Sequence, residues 1–358
     1  MQILLILWII LFACALLYSA RRRDDIWRLS AGCAHPGLGV ENLQPEPCDR
    51  EWLPHGREVQ VCFTWQSDVL SRGETRQLDQ AARRHAPGDF IRLPDGVVHY
   101  ELQGKPGAQA VILVNGLVGP CSIWDPTFPA LLRAGFRVLR YDLYGRGLSD
   151  RPDLRYTLDL FVRQLHDLLG ALQITHKAHL IGLSMGGPIC AGFTASYPDR
   201  VNKLGLIDPA GLRAQHRLPL GLVRAPFLGE IMVGLLAERV MRSAFADEIS
   251  RLESSPRFLE EFRSQMQYLG FKRALLSTLR YGPIGDLSAI YRQIGEQERP
   301  TLLIWGRRDR VVPFAHSQTA RELMPQAEFH PIEQAGHTPH FEKPELVNPL
   351  LIRFLKGH

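Results

Sequence analysis

Residues 178–193 read AHLIGLSMGGPICAGF. The stretch opens on an apolar run of strand length, Ala178–Leu183, and closes on Pro188–Phe193, which suits a helix. Between them Gly182-Leu183-Ser184-Met185-Gly186 has the form G-x-S-x-G. A bare five-residue match is cheap, but a strand before it and a helix after it are the setting a nucleophile elbow requires. In such an elbow the serine sits in a strained turn, and side chains at the flanking glycine positions would collide. The competing reading is an ordinary glycine-rich turn.

A serine hydroxyl is a weak nucleophile, so it needs a base, and the base needs an orienting acid. On a scaffold of this kind the expected chain order is serine, acid, histidine. His337, in Gln334-Ala335-Gly336-His337, follows a strand and precedes a helix, and Gly336 lets the loop bend. His337 is the candidate base. His340 is its rival and is expected instead to stabilise the loop, while His85, His166 and His216 lie in polar or helical stretches and are expected to be solvated. Two positions are open for the acid. Asp208 ends the run Lys203–Asp208, and Asp309 follows Thr301–Trp305 through Gly306-Arg307-Arg308. Asp309 is preferred, because a turn and then Val311-Val312-Pro313 follow it. A surface salt bridge with the neighbouring arginines is the plainer alternative. The tetrahedral intermediate needs backbone N–H donors for its oxyanion. Met185, directly after the nucleophile, and Leu117, in the turn after Ala110–Val114, are the candidates.

Outward from this centre, short apolar runs alternate with helical stretches. Phe90–Leu93 and Val97–Leu102 flank Pro94-Asp95-Gly96 as a hairpin. Ala110–Val114, Val138–Asp142, Ala178–Leu183, Lys203–Asp208, Thr301–Trp305 and Glu328–Ile332 read as strands, and Leu158, Phe161, Leu165, Leu168, Leu169 and Leu172 have helical spacing. The pattern implies an α/β fold: a mostly parallel sheet with helices on both faces. Residues 212–298 hold no good strand and several helical runs, including Leu222–Phe245. They read as a helical cap, placed where it can cover the carboxyl ends of the strands. The organisation expected is a core of residues 89–211 and 299–358 interrupted by this cap. Residues 24–88, broken by prolines and glycines, read as a juxtamembrane segment lying on the core or linking it to a bilayer.

That bilayer is inferred from the N-terminus. Ile3 to Ala20 is almost wholly apolar, at the short end of a membrane span, and Arg21-Arg22-Arg23 follow at once. A secretory signal carries its positive charge ahead of the apolar run. The reversed order here predicts an uncleaved anchor, residues 1–23, with the catalytic domain in the cytoplasm. A cleaved signal peptide is the alternative. The 358 residues are 45% hydrophobic and 22% charged, with a formal net charge of +5. No basic stripe is interleaved with aromatics, which argues against nucleic acid. The six cysteines form no C-x-x-C pair, so no zinc site is suggested, and free thiols are expected. The chemistry requires no cofactor or metal.

Taken together the motifs resemble the α/β-hydrolase superfamily, in its lipase, esterase and meta-cleavage hydrolase branch, over about residues 88–358. Gly182–Gly187 resembles the family's elbow, Gly306-Arg307-Arg308-Asp309 its acid turn, and Gly336-His337-Thr338-Pro339-His340 its histidine loop. Residues 142–150, DLYGRGLSD, resemble its Asp-x-x-Gly-x-Gly-x-Ser-Asp loop. Asn115-Gly116 and the later Trp124 look like its His-Gly oxyanion turn with its tryptophan, except that Asn115 replaces the histidine. The resemblance implies that Asn115 and Trp124 adjoin the substrate. It also implies a serine hydrolase of carboxylic esters, and the anchor suggests monoacylglycerol or lysophospholipid. The alternatives are a C–C bond hydrolase of ring-cleavage products and a non-catalytic binding protein of the same fold.

Overall fold

The computed structural model describes residues 70–84, 86–212, 223–235 and 256–357. The expected anchor, the arginine cluster behind it, most of the juxtamembrane segment and Cys14, Cys33, Cys48 and Cys62 lie outside these residues. So do His85, His216 and part of the helical run 222–245. Among the described residues no helix is long and apolar enough to cross a membrane.

The alternating runs form an eight-stranded sheet in the order β1-β2-β4-β3-β5-β6-β7-β8. β1 (Asp89–Leu93) and β2 (Gly96–Gln103) make the expected hairpin, and β2 pairs antiparallel with β4 (Arg137–Tyr141). The other strands, β3 (Ala110–Val114), β5 (Ala178–Leu183), β6 (Val201–Ile207), β7 (Thr301–Gly306) and β8 (Glu328–Ile332), pair in parallel, with β4 beside β3. β3, β5 and β7 are buried along their whole length, which is why they read as apolar runs, interrupted in β5 by the buried His179, rather than as alternating ones. Successive side chains point to opposite faces. Ile112, Val114, Leu303 and Trp305 therefore enter one core, and Val111, Leu113, Leu302 and Ile304 the other.

Helices cover both faces. α1 (Gln80–Arg83) and α2 (Phe128–Arg133) precede the long α3 (Leu158–Ala171), whose start is capped by Thr157 accepting the Leu160 N–H. Phe161, Leu165, Leu168 and Leu169 of α3 join Ile189 and Phe193 of α4 (Gly186–Ser196) on the first face. Phe128 and Leu131 of α2 fill the second face, with Val347 and Leu351 of the C-terminal helix, Pro344–Lys356.

Between β6 and β7 the chain is helical and holds no strand among the described residues. It includes α5 (Pro256–Gln265), α6 (Phe271–Tyr281) and α7 (Ser288–Gly295). This insertion is tied to the loops at the sheet edge. Gln265 Nε2 donates to the Val118 carbonyl at 2.6 Å, and the Tyr291 hydroxyl donates to the Ala210 carbonyl at 2.6 Å. The chain ahead of β1 lies on it too, since the Glu74 carboxylate accepts the N–H groups of Gly270 and Lys272 at 2.8 and 2.6 Å.

Candidate active site

In a parallel sheet every strand delivers its carboxyl end to the same edge. Here that edge receives Asn115 after β3, Asp142 after β4, Ser184 after β5, Asp208 after β6, Asp309 beyond β7 and His337 beyond β8. The strand order places Asn115 and Asp142 on one side of Ser184, and Asp208, Asp309 and His337 on the other. Open α/β sheets bind ligands at such an edge.

Ser184 has φ +53°, in the left-handed region that a residue with a Cβ rarely adopts. The turn is tight because β5 hands over to α4 within two residues, Ser184 and Met185. A Cβ at Gly182 would lie 2.3 Å from the Gly186 carbonyl oxygen, and one at Gly186 would lie 2.2 Å from that of Val114. Both contacts are with backbone, which cannot move aside, so both positions require glycine. Three backbone hydrogen bonds hold the turn. The Ser184 N–H donates to the Ile207 carbonyl, and the Ser184 carbonyl accepts from Gly187 and Ala210.

His337 Nδ1 lies 2.7 Å from Asp309 Oδ2, and both side chains are buried. Asp309 Oδ1 accepts the N–H groups of Val311 and Val312 at 2.8 and 2.9 Å. The plainer reading of Asp309 as a surface partner of its arginines is not what the structure shows. Arg307 pairs with Glu333, while Asp309 turns inward. His340 is wholly buried, with its ring against Trp124 at a centroid distance of 4.4 Å. Burial pushes its pKa down to about 3, so it packs the loop as a neutral ring.

The Asn115–Leu117 turn passes over the elbow, since a Cβ at Gly116 would stand 3.2 Å from Ser184 Cβ. Asn115 Nδ2 donates to the Gly119 carbonyl at 2.6 Å, so this amide braces its own loop. Trp124 is fully buried in the second core. The Leu117 carbonyl accepts Arg146 Nε, and Arg146 Nη2 donates to Thr278 Oγ1 of α6 at 2.9 Å. One buried guanidinium thus joins the turn after β3 to the helical insertion. Burial, without a carboxylate in contact, lowers its pKa to about 10, which still leaves it charged at neutral pH.

The role of His99 was not visible from the sequence. Its Nδ1 meets Asp142 Oδ2 at 2.8 Å and its Nε2 meets the Pro87 carbonyl at 2.6 Å. Both ring nitrogens face acceptors, so both carry protons. Burial opposes the charge, but Asp142 and the Pro87 carbonyl outweigh it and the pKa is raised. Asp142 also accepts the N–H groups of Cys121 and Leu148, while Gly147, at φ +48°, leaves no room for a Cβ beside the Asp142 carboxylate. Residues 142–150 are therefore an internal brace. The hint was a histidine in the middle of the strand run Val97–Leu102. A cleft of about 580 Å³ opens beside this brace, between Pro87, Leu148 and α5, and Ser184, Asp309 and His337 are not among its walls.

Among the described residues two clusters have donor atoms close enough to share a cation, His99–Cys121–Asp142 and Asp208–Asp309–His337. In each the histidine Nδ1 is already bonded to a carboxylate. Cys121 and Cys190 are buried free thiols.

A profile for the α/β-hydrolase fold matches residues 109–344, about two-thirds of the chain. The chain is 29% identical over 282 residues to a 2-hydroxy-6-oxo-6-phenylhexa-2,4-dienoate hydrolase of Comamonas testosteroni, covering 74% of this chain and 93% of that one. It is 30% identical over 272 residues to a 2-hydroxy-6-oxononadienedioate/2-hydroxy-6-oxononatrienedioate hydrolase of Paraburkholderia phymatum, covering 72% and 90%. A solved hydrolase from Pseudomonas aeruginosa matches with a TM-score of 0.63 at 27% identity, over 76% of this chain and 99% of that one. The sheet order, the glycine-bound turn at its edge and the length of these matches agree: the chain belongs to the α/β-hydrolase superfamily and is a hydrolase.

Proposed function

We propose that the protein is a serine hydrolase that cleaves carboxylic esters through an acyl-enzyme. Ser184 Oγ attacks the acyl carbon while His337 takes its proton. Asp309 holds the imidazole in the tautomer whose Nε2 carries the lone pair that accepts it. The tetrahedral oxyanion rests on the N–H groups of Leu117 and Met185. Collapse expels the alcohol with the proton from His337. Water, deprotonated by His337, then attacks the acyl carbon and releases the acid and Ser184. The observation that carries this reading is the buried His337–Asp309 hydrogen bond, at the strand edge that also bears the left-handed turn of Ser184.

A lipid-derived ester is the proposed substrate class, with residues 1–23 as a membrane anchor and the catalytic domain cytoplasmic. The apolar run and the arginines behind it support the placement. In the cap, Phe227 and Leu235 are about half exposed, although Val233 is buried. That leaves apolar surface for an acyl chain or lipid. Trp124 and Asn115 would act here by shaping the pocket wall. The second reading, a C–C bond hydrolase, is favoured by the similarity to the two dienoate hydrolases.

The test is a panel of p-nitrophenyl and glyceryl esters from C2 to C16, run beside 2-hydroxy-6-oxo-6-phenylhexa-2,4-dienoate. Each methylene moved into an apolar pocket gains about 0.8 kcal/mol, so kcat/KM should rise several-fold for each added pair of carbons until the pocket is full. A profile that peaks at C2 rejects the lipid substrate. Faster turnover of the dienoate than of any ester favours the second reading.

A further inference from the structure

Asp208 is a carboxyl group to which the proposed chemistry gives no task. It ends β6 with φ +44°, and its side chain is fully buried. Oδ1 accepts the Gly306 N–H at 2.9 Å. Oδ2 meets no hydrogen-bond donor among the described residues. Its donor atoms and those of Asp309 and His337 lie within 4.8 Å of one another. A buried carboxylate oxygen with no donor is unfavourable, and a second carboxylate beside it makes it more so. A protonated Oδ2 resolves both problems, because the oxygen then becomes a donor. Asp309 is the partner suited to the charge, since it accepts from Val311, Val312 and His337. The surroundings agree in direction: burial, the Asp309 charge and the Glu342 charge push the Asp208 pKa well above the usual carboxylate range.

We propose that Asp208 is a positioning residue and a reserve acid: its carboxyl O–H donates to Asp309 in the resting protein, and its carboxylate takes over the His337 Nδ1–H when Asp309 loses its charge. The proton balance is simple. With Asp309 ionised, the pair holds one proton, on Asp208. Asp309→Asn removes the repelling charge, and Asp208, still buried, gives its proton to solvent as it accepts the His337 Nδ1–H, so that one carboxylate again faces the imidazole. With donor atoms within 4.8 Å of one another, a single water is enough to bridge the gap.

The inference rests on the reading of His337 and Asp309 as the working pair, so its test has a readout that needs no substrate. The full chain is labelled with ¹⁵N-histidine, and His337 is assigned by loss of its signals in His337→Gln. Its titration is followed in wild type, Asp208→Asn, Asp309→Asn and the double variant. Asparagine keeps the Oδ1 acceptor for Gly306 and supplies an N–H toward Asp309, so Asp208→Asn should fold and leave His337 near its wild-type pKa. In Asp309→Asn the His337 pKa should stay about one unit above that of the double variant. Ester hydrolysis should rank the same way. Asp309→Asn should lose roughly 10–100-fold in kcat/KM, and the double variant should approach the ~10⁴-fold loss seen when a triad acid has no substitute. Equal His337 pKa values in Asp309→Asn and the double variant would overturn the proposal. If the two differ but no ester is cleaved, the reserve acid stands and the esterase reading fails. Loss of the fold in Asp208→Asn would contradict a neutral Asp208, which an amide should replace. A protonated-carboxyl infrared band present at pH 7 in wild type and missing from Asp208→Asn would support it without any double variant.

Discussion

A serine held at φ +53° carries a backbone penalty of about 1–2 kcal/mol, which three backbone hydrogen bonds and the packing of β5 and α4 must outweigh. The result is a side chain lifted off the strand edge and only 8% exposed. Asp208 is a second unfavourable group beside it, and its effect can be measured as stability. Its folded pKa is raised above the unfolded value of 3.8. Folding therefore takes up a proton once the pH exceeds that value, and stability falls as pH rises until the folded pKa is reached. Asp208→Asn is free of this effect. Urea unfolding should show the variant gaining on wild type as pH rises from 4 to 8, by at most about 1.4 kcal/mol per pH unit. A difference that is flat with pH would mean that Asp208 is ionised in the folded protein.

At the scale of elements, the strands were legible because buried parallel strands are nearly continuous apolar runs, and the elbow was legible because its glycines have no substitute. His337 and Asp309 were singled out from chain order and turn context, and the fold brings them within 2.7 Å of each other. Residues 142–150 were harder to read. Their form was recognisable, but their task depends on His99, which is 43 residues away from Asp142 in the chain and opposite it only after β2 pairs with β4. Nor could Arg146 be read, since its partners come from a turn after β3 and from the cap. It ties the Leu117 carbonyl to Thr278 through two different nitrogens of one planar group. Lysine keeps the charge and loses the fork. Arg146→Lys is expected to lower kcat for ester hydrolysis about tenfold or more with a smaller change in KM, because a loosened turn harms the oxyanion more than the substrate. A purely raised KM would place Arg146 in substrate binding instead.

For the molecule as a whole, the buried His99–Asp142 pair joins the chain before β1 to the sheet edge, since Pro87 is the third partner. His99→Leu leaves Asp142 without its cation and should reduce stability by about 3 kcal/mol or more near pH 6. His99 has a pKa raised above 6.5, so its contribution is full below that value and is lost as pH rises through the folded pKa. Asp142 has a pKa lowered below 3.8, so its contribution is present above 3.8 and is lost as pH falls through its folded value. The gap between wild type and variant should be widest between about pH 4 and 6.5 and should narrow on either side. A gap independent of pH would mean that the pair is neutral. The helical insertion and the chain ahead of β1 are thus fastened through charged and polar contacts with the edge loops, which leave little trace in local sequence.

The proposed chemistry requires an activated serine at this edge. Fluorophosphonate reacts with such a serine and needs no knowledge of the substrate. Peptide mass mapping of the labelled wild-type chain should place the adduct on Ser184. The label should be lost in Ser184→Ala and slowed by orders of magnitude in His337→Gln. An unlabelled wild-type chain, or an adduct that persists in Ser184→Ala, would contradict the claim.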